Sequence, residues 1–232
     1  DLGLTIGLRV ASMSFNIKFP SPDGSNAHQQ LTFSEGSSLV VVGSNGSGKS
    51  RLGAWIEKYG SNQHEIHRVG AQRRLAVPAK ISLRSLDEAT NMLLYGKKDK
   101  LSNASKWGSR WSEQPTTTLL EDFSHVLSLL FASRAKRDRE VIDSFRKGQS
   151  VLAESIPVTG TEIVLDIWSA IFSHRKLEFD FEANQISAYS GLGENPISYS
   201  ATEMSDGERS AIYLMGQCLS VPSNSVLIID EP

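Results

Sequence analysis

The sequence predicts an α/β fold: a mixed β-sheet P-loop core with antiparallel strands at its N-terminal end and a helical insertion. Three observations predict it. First, Gly43-Ser44-Asn45-Gly46-Ser47-Gly48-Lys49-Ser50 fits the phosphate-cradling pattern G-x-x-x-x-G-K-[ST], with an apolar run, Leu39-Val40-Val41-Val42, directly before it and a helical stretch from Arg51 to Tyr59 directly after. Second, Ser225-Val226-Leu227-Ile228-Ile229-Asp230-Glu231 reads as a buried strand ending in two acids. Third, the hydrophobic period changes from alternation to helical spacing over residues 82–172, then back to alternation.

The elements follow in order. Residues 4–19 and 29–34 read as strands, with clear alternation from Met13 to Phe19 and a turn-forming Pro20-Ser21-Pro22-Asp23-Gly24-Ser25-Asn26 between them. The run 39–42 predicts the strand that feeds the Gly-rich loop, and Gly60 ends the helix after it. Glu65-Ile66-His67-Arg68-Val69 predicts a short strand ending at Gly70-Ala71-Gln72. Ser85-Leu86-Asp87-Glu88 is a capping box that opens a helix through Leu94. Residues 96–117 are polar and loop-like, with Trp107 and Trp111 expected at the surface. Leu119, Leu120, Phe123, Val126, Leu127, Leu130 and Phe131 recur at helical spacing, and a charged helical stretch continues to Lys147. Thr159-Gly160-Thr161-Glu162 caps a further helix, and Leu177, Phe179 and Phe181 mark a strand that turns at Ala183-Asn184 into a second one. No heptad run is long enough for an extended coiled coil.

The 232 residues suit one domain, with a core of 1–81 and 173–232 and an insertion at 82–172. A net charge of −2 gives no global pull toward nucleic acid or membrane. No apolar run approaches the ~20 residues that span a bilayer. The single cysteine, Cys218, excludes an internal disulfide and fits a reducing, cytoplasmic setting. Its place in an apolar helical pattern predicts burial. The chain begins at Asp1 and stops at Pro232, inside what reads as a site, so a C-terminal part of the fold is expected to be absent.

The motifs carry a definite chemistry. Glycines let the loop curl so that backbone N–H groups converge on a phosphate, and the helix N-terminus adds partial positive charge. Lys49 reaches the β- and γ-phosphates and the Ser50 hydroxyl ligates Mg²⁺. Asp230 is placed to hold the metal and Glu231 to polarise a water. Met204-Ser205-Asp206-Gly207-Glu208-Arg209 opens another helix. Ser205 and Glu208 form a plain capping box, and Ser205 with Gly207 also presents a hydroxyl and N–H groups to an anion.

In this order, GSNGSGKS, MSDGER and VLIIDEP resemble the Walker A, signature and Walker B motifs of ABC ATPases over Leu39–Pro232. The resemblance implies that Gly43, Ser44, Asn45, Gly46, Ser47, Gly48, Lys49 and Ser50 bind ATP, and that Ser50 and Asp230 hold Mg²⁺ with Glu231 as general base. It also implies that Ser205 and Gly207 contact a γ-phosphate held by the opposite subunit of a head-to-tail dimer or higher homo-oligomer. Gln72 is the candidate for the glutamine that joins Mg²⁺ and the attacking water, with Gln114 and Gln149 as weaker candidates. Asp206 stands where most relatives have Gly, which puts the shape of the signature loop in doubt.

Glu208 in place of Gln, followed by Ser210-Ala211-Ile212-Tyr213-Leu214-Met215, looks more like the soluble SMC, RecF and OLD-type ATPases than transporter subunits. The short insertion, Ala71-Gln72-Arg73 and SATEMSDGER followed by LIIDEP are similar to ATPases of bacterial anti-phage defence systems of the PARIS type. That resemblance implies an ATP-driven switch or scaffold controlling an effector such as a TOPRIM-like nuclease, with a phage-encoded trigger and no membrane partner. The alternative is a DNA-engaging repair or maintenance ATPase of the SMC/RecF type. The basic stretch Arg134-Ala135-Lys136-Arg137-Asp138-Arg139 is a solvated helix face or a patch for DNA or a protein.

Overall fold

A computed structural model of the chain describes residues 14–21, 28–99, 103–191, 193 and 196–231. The expected strand residues 4–13 and most of the turn after Pro20 lie outside them. Strands β1 (Ser14–Pro20) and β2 (His28–Ser34) form an antiparallel ribbon in which Ile17 faces Leu31. Alternation buries Phe15 and Ile17 against Ile56 of helix α1 (Lys49–Tyr59) and Ile66 of strand β3 (Ile66–Val69).

Every side chain of β3 is buried. It pairs in parallel with β7 (Val226–Ile229), so Val69 and Ile229 end the ladder together. Helix α1 lies close on this pair. A Cβ at Gly53 would meet Arg68 Cδ at 3.3 Å and Ile228 Cγ2 at 3.5 Å.

The larger core belongs to the rest of the chain. Helix α2 (Leu86–Tyr95) starts at Ser85, whose hydroxyl accepts from Glu88 N. Short α3 (Asn103–Ser109), long α4 (Phe123–Arg146) and α5 (Gly160–Ile171) follow, then the antiparallel meander β4 (Arg175–Asp180), β5 (Gln185–Ser190) and β6 (Ile197–Ser200). Asn184 makes the β4–β5 turn in the left-handed region, as its side chain tolerates. Helix α6 (Asp206–Ser220) packs its stripe of Ile212, Tyr213 and Gly216 against α4 and α5.

Four expectations are corrected. The run 39–42 forms no ladder among the described residues; Val40 is 80% and Val42 88% exposed. An all-apolar strand needs neighbours on both edges, and β3 and β7 here pair with each other. For the same reason the single mixed sheet is, among the described residues, three small ones. Cys218 is exposed because the buried stripe of α6 runs through Glu208, Ile212, Tyr213, Gly216 and Gln217, one helical step away. Residues 96–117 are not a plain loop: they carry α3, and Trp111 is fully buried with Arg68 and Arg110 over its ring. Trp107 is half-buried, with Lys58 over it.

Two predictions follow from packing and burial. A Cβ at Gly216 would stand 2.2 Å from Val126 Cγ1. Gly216→Ala should therefore cost about 1–3 kcal/mol in denaturant unfolding. Gly108→Ala, whose Cβ meets open space, should be neutral or stabilising by up to about 1 kcal/mol. His67 is fully buried with its Nε2 2.8 Å from Gln217 Oε1. Burial first, then Arg110 and Lys106, push its pKa well below the usual range, so the fold holds it neutral. Its contribution is complete above an unfolded pKa of about 6.5 and declines as pH falls below that, by at most about 1.4 kcal/mol per pH unit. His67→Gln should flatten this slope in unfolding measured down to about pH 5; an unchanged slope would exclude His67 as its source.

Candidate functional site

The loop before α1 is shaped by its glycines. Gly46 and Gly48 sit at φ 81° and 93°, where a side chain is strained. Ser47 N donates to Ser44 O at 3.2 Å, and a Cβ at Gly43 would collide with Ser47 Oγ at 2.6 Å. Lys49 Nζ donates to Gly43 O at 2.8 Å and Ser44 O at 3.0 Å, which draws the loop around its own ammonium. Gly48 caps α1 without a side chain, and no acid stands in the first turn. Helices α2, α5 and α6 instead carry Ser85, Thr159 and Ser205 at the N-cap and a Glu three residues on. The α1 N-terminus thus keeps N–H groups and dipole for an anion.

The acids stand where the β3–β7 ladder ends. Asp230 N donates to Val69 O at 3.0 Å. The Asp230 side chain is 10% exposed, and its Oδ2 is buried without a hydrogen-bond partner. Arg68 Nη1 approaches it only to 3.9 Å. Glu231 is exposed, at φ 53°. Gln72 is also exposed just past β3, and its carbonyl accepts from Leu120 N at 3.0 Å. Gln72, Asp230 and Glu231 therefore share one end of the ladder. Gln114 lies exposed in the turn after Trp111, and Gln149 exposed beyond α4.

Ser205 caps α6 with a complete capping box: its N donates to Glu208 Oε2 at 2.8 Å and its Oγ to the same oxygen at 2.6 Å. Glu208 is buried, accepts from Tyr199 Oη at 2.5 Å and is ion-paired with Arg175. Burial alone would raise this carboxyl, but Arg175, Ser205 and Tyr199 outweigh it and hold it at about 2. Asp206 does not distort the loop. Its exposed carboxylate pairs with Arg209 at 2.6 Å, and α6 starts regularly. Gly207 leaves bare surface, since a Cβ there would meet nothing within 4 Å.

These residues fit a nucleotide and a divalent cation on two counts: the uncapped helix N-terminus behind left-handed glycines, and the unbonded buried oxygen of Asp230. The ABC transporter family profile matches residues 27–232, nearly the whole chain, and the chain belongs to that family. ABC domains bind ATP with Mg²⁺, and membership supports ATP binding and ATPase activity here. No curated protein and no solved structure matches the chain. Among the described residues no helix is long and apolar enough to cross a membrane.

Sequence patterns alone missed three supporting arginines. Arg73 donates to Gly70 O at 3.3 Å, Asp230 O at 3.2 Å and Glu231 O at 2.8 Å, and so staples the acidic strand end to β3. Its place beside Gln72 was the only signal. Arg68 and Arg175 find acids far away in sequence, which no local pattern reveals.

Lys49→Ala should leave unfolding unchanged, because Lys49 contacts only loop carbonyls, and should remove ATP binding in calorimetry. Losing a charge-assisted contact of this kind costs on the order of 1.5–3 kcal/mol at least. Unchanged affinity would contradict a phosphate-binding Lys49.

Proposed function

We propose that this chain is a Mg²⁺-dependent ATPase that forms composite ATP sites between subunits and switches an associated effector. One juxtaposition carries it: an uncapped helix N-terminus packed on a parallel ladder that ends in a buried, unbonded carboxylate oxygen. Lys49 exchanges the carbonyls of Gly43 and Ser44 for the β- and γ-phosphates. The N–H groups of Gly46, Gly48 and Lys49 line the cradle, with Gly43, Ser44, Asn45 and Ser47 shaping it. Ser50 and Asp230 hold the metal, which when bound neutralises charge on the phosphate oxygens. Gln72 orients the attacking water, and the exposed Glu231 accepts its proton. Ser205 and Gly207 of one subunit face the γ-phosphate held by the next, in a head-to-tail dimer or a larger homo-oligomer.

The effector is a separate cytoplasmic protein, a TOPRIM-like nuclease held in check in anti-phage defence and released by a phage-encoded trigger. The motif pattern SATEMSDGER…LIIDEP supports this branch. A DNA-engaging role for Arg134 and Arg137 of the basic stretch of α4 is disfavoured by their pairing, whereas Lys136 and Arg139 stay exposed. Arg134 and Arg137 reach Glu162 at 2.6 and 3.0 Å and Asp138 at 2.8 Å, so these cations are already neutralised.

Glu231→Gln should keep ATP binding and remove most turnover, since an amide cannot take the proton; turnover surviving unchanged in phosphate-release assays excludes Glu231 as the base. Ser205→Arg should spare ATP binding by one subunit yet block association with a non-hydrolysable ATP analogue. Normal dimerisation in sizing would contradict a site completed in trans. Co-purification from the native operon tests the switch: full-length protein that emerges alone and itself cleaves nucleic acid overturns it.

A further inference from the structure

A layer of buried charge runs from the acidic end of β7 to the signature helix. Arg68, 1% exposed, stands at its centre. Its Nε donates to Glu57 Oε2 of α1 at 3.2 Å, its Nη2 to Pro115 O, and its Nη1 lies 3.9 Å from Asp230 Oδ2. Its guanidinium carbon lies 4.0 Å from the centre of the Trp111 ring. Arg110 lies over the same ring at 4.9 Å and pairs with Asp122 at 2.7 Å. Asp122 accepts from Tyr213 Oη at 2.8 Å and Gln217 Nε2 at 3.2 Å, both on α6. Gln217 closes the circuit on His67, the neighbour of Arg68 in β3.

We propose that Arg68 is a positioning residue that ties the state of Asp230 to the signature helix of the same subunit, through Trp111, Arg110 and Asp122. The inference rests on the assignment of Asp230 to the metal. Arg68 is bonded firmly on one side and loosely on the other. Glu57 and Pro115 hold it by hydrogen bonds, whereas 3.9 Å to Asp230 balances charge without a bond. Asp230 drawn toward a divalent cation no longer needs that balance, and two cations on one carboxylate repel. Arg68 then retreats onto Glu57 and slides over Trp111 toward Arg110, a like charge. Arg110 is fixed by Asp122, the carboxylate that also anchors Tyr213 and Gln217. The element with two arrangements is therefore Arg68 itself, shared between Glu57 and Asp230 or committed to Glu57. A lysine cannot replace it, because an ammonium lacks the planar fork and the stacking face.

The test uses full-length protein saturated with a non-hydrolysable ATP analogue, with Mg²⁺ added. Tryptophan emission should change on Mg²⁺ addition, and Trp111→Phe should remove that change. Hydrogen exchange of residues 206–220 should slow at the same step. Arg68→Lys should still bind the analogue with Mg²⁺ but lose both responses; retention of both overturns the proposal. Should Arg68→Lys fold poorly, Tyr213→Phe tests the far end, where loss of the α6 protection supports the coupling and full retention overturns it. Asp230→Asn separates the two levels. If it leaves Mg²⁺ affinity unchanged in calorimetry, the metal assignment fails and the inference with it. If it lowers that affinity while the emission of wild-type protein never responds to Mg²⁺, only the coupling fails.

Discussion

The carboxylate of Glu57 constrains most of this structure. It lies on the helix that follows the Gly-rich loop, and its side chain is 1% exposed. An unpaired charge at that depth would cost several kcal/mol. Two cations answer it: Arg68 at 3.2 Å from β3 and Lys106 at 2.9 Å from α3. Lys106 also donates to Ile66 O at 2.9 Å, so α3 is anchored to the back of the parallel ladder. Helix α3 therefore sits where it does because α1 demands a cation. Trp111 follows as the flat ring over which both Arg68 and Arg110 lie. The α3 region is thus built against α1 and the β3–β7 ladder through Lys106.

A second constraint is the division of labour among helix N-termini. Helices α5 and α6 occupy the N–H groups of their N-cap and third helical residues with their own capping boxes, and α2 the third with the Ser85 hydroxyl. Helix α1 does not, although α1 alone follows a loop with two left-handed glycines. Free N–H groups cost stability at a helix end unless a partner arrives. Helix α4 also lacks a side-chain cap but has Asp122 at its N-cap, so α1 is set apart by its Gly-rich loop together with its free N–H groups.

Much of this was legible in the chain, and the failures have physical causes. The capping boxes at Thr159 and Ser205, the Ser85 cap and the stop at Gly60 are local chemistry, and local pattern found them, although Glu88 turns to Arg84 and not back to Ser85 N. The alternation of Leu177 and Phe179, turned at Asn184, placed the β4–β5 hairpin for the same reason. The run 39–42 went wrong because strand formation depends on a partner, which its own residues do not encode. Trp111 went wrong because its surroundings look polar in sequence. The lysine and arginine beside it are buried by acids on α1 and before α4, distant along the chain. Cys218 went wrong by one helical step, within the error of an apolar pattern on an amphipathic helix. The sequence patterns singled out the Gly-rich loop, both acids and the start of α6 as candidates; they did not point to the arginines that brace these segments, since ion pairs across the fold leave no periodic mark.

The signature start shows how geometry refines a motif. A serine hydroxyl has one proton to give, and Ser205 gives it to Glu208, which Arg175 and Tyr199 keep ionised. Glu208 also takes the Ser205 N–H, and the Ser205 oxygen faces the Glu208 N–H at 3.4 Å. The capping box thus consumes the groups at both of its ends and leaves the N–H groups of Asp206 and Gly207 between them. Asp206 turns its carboxylate to Arg209, and Gly207 presents no side chain and open space. In the proposed composite site, an anion would therefore meet backbone N–H groups and the helix dipole first, and the serine hydroxyl only once Glu208 released it. In this arrangement Gly207 makes the approach possible, and Ser205 holds the helix start in the shape that the approach requires.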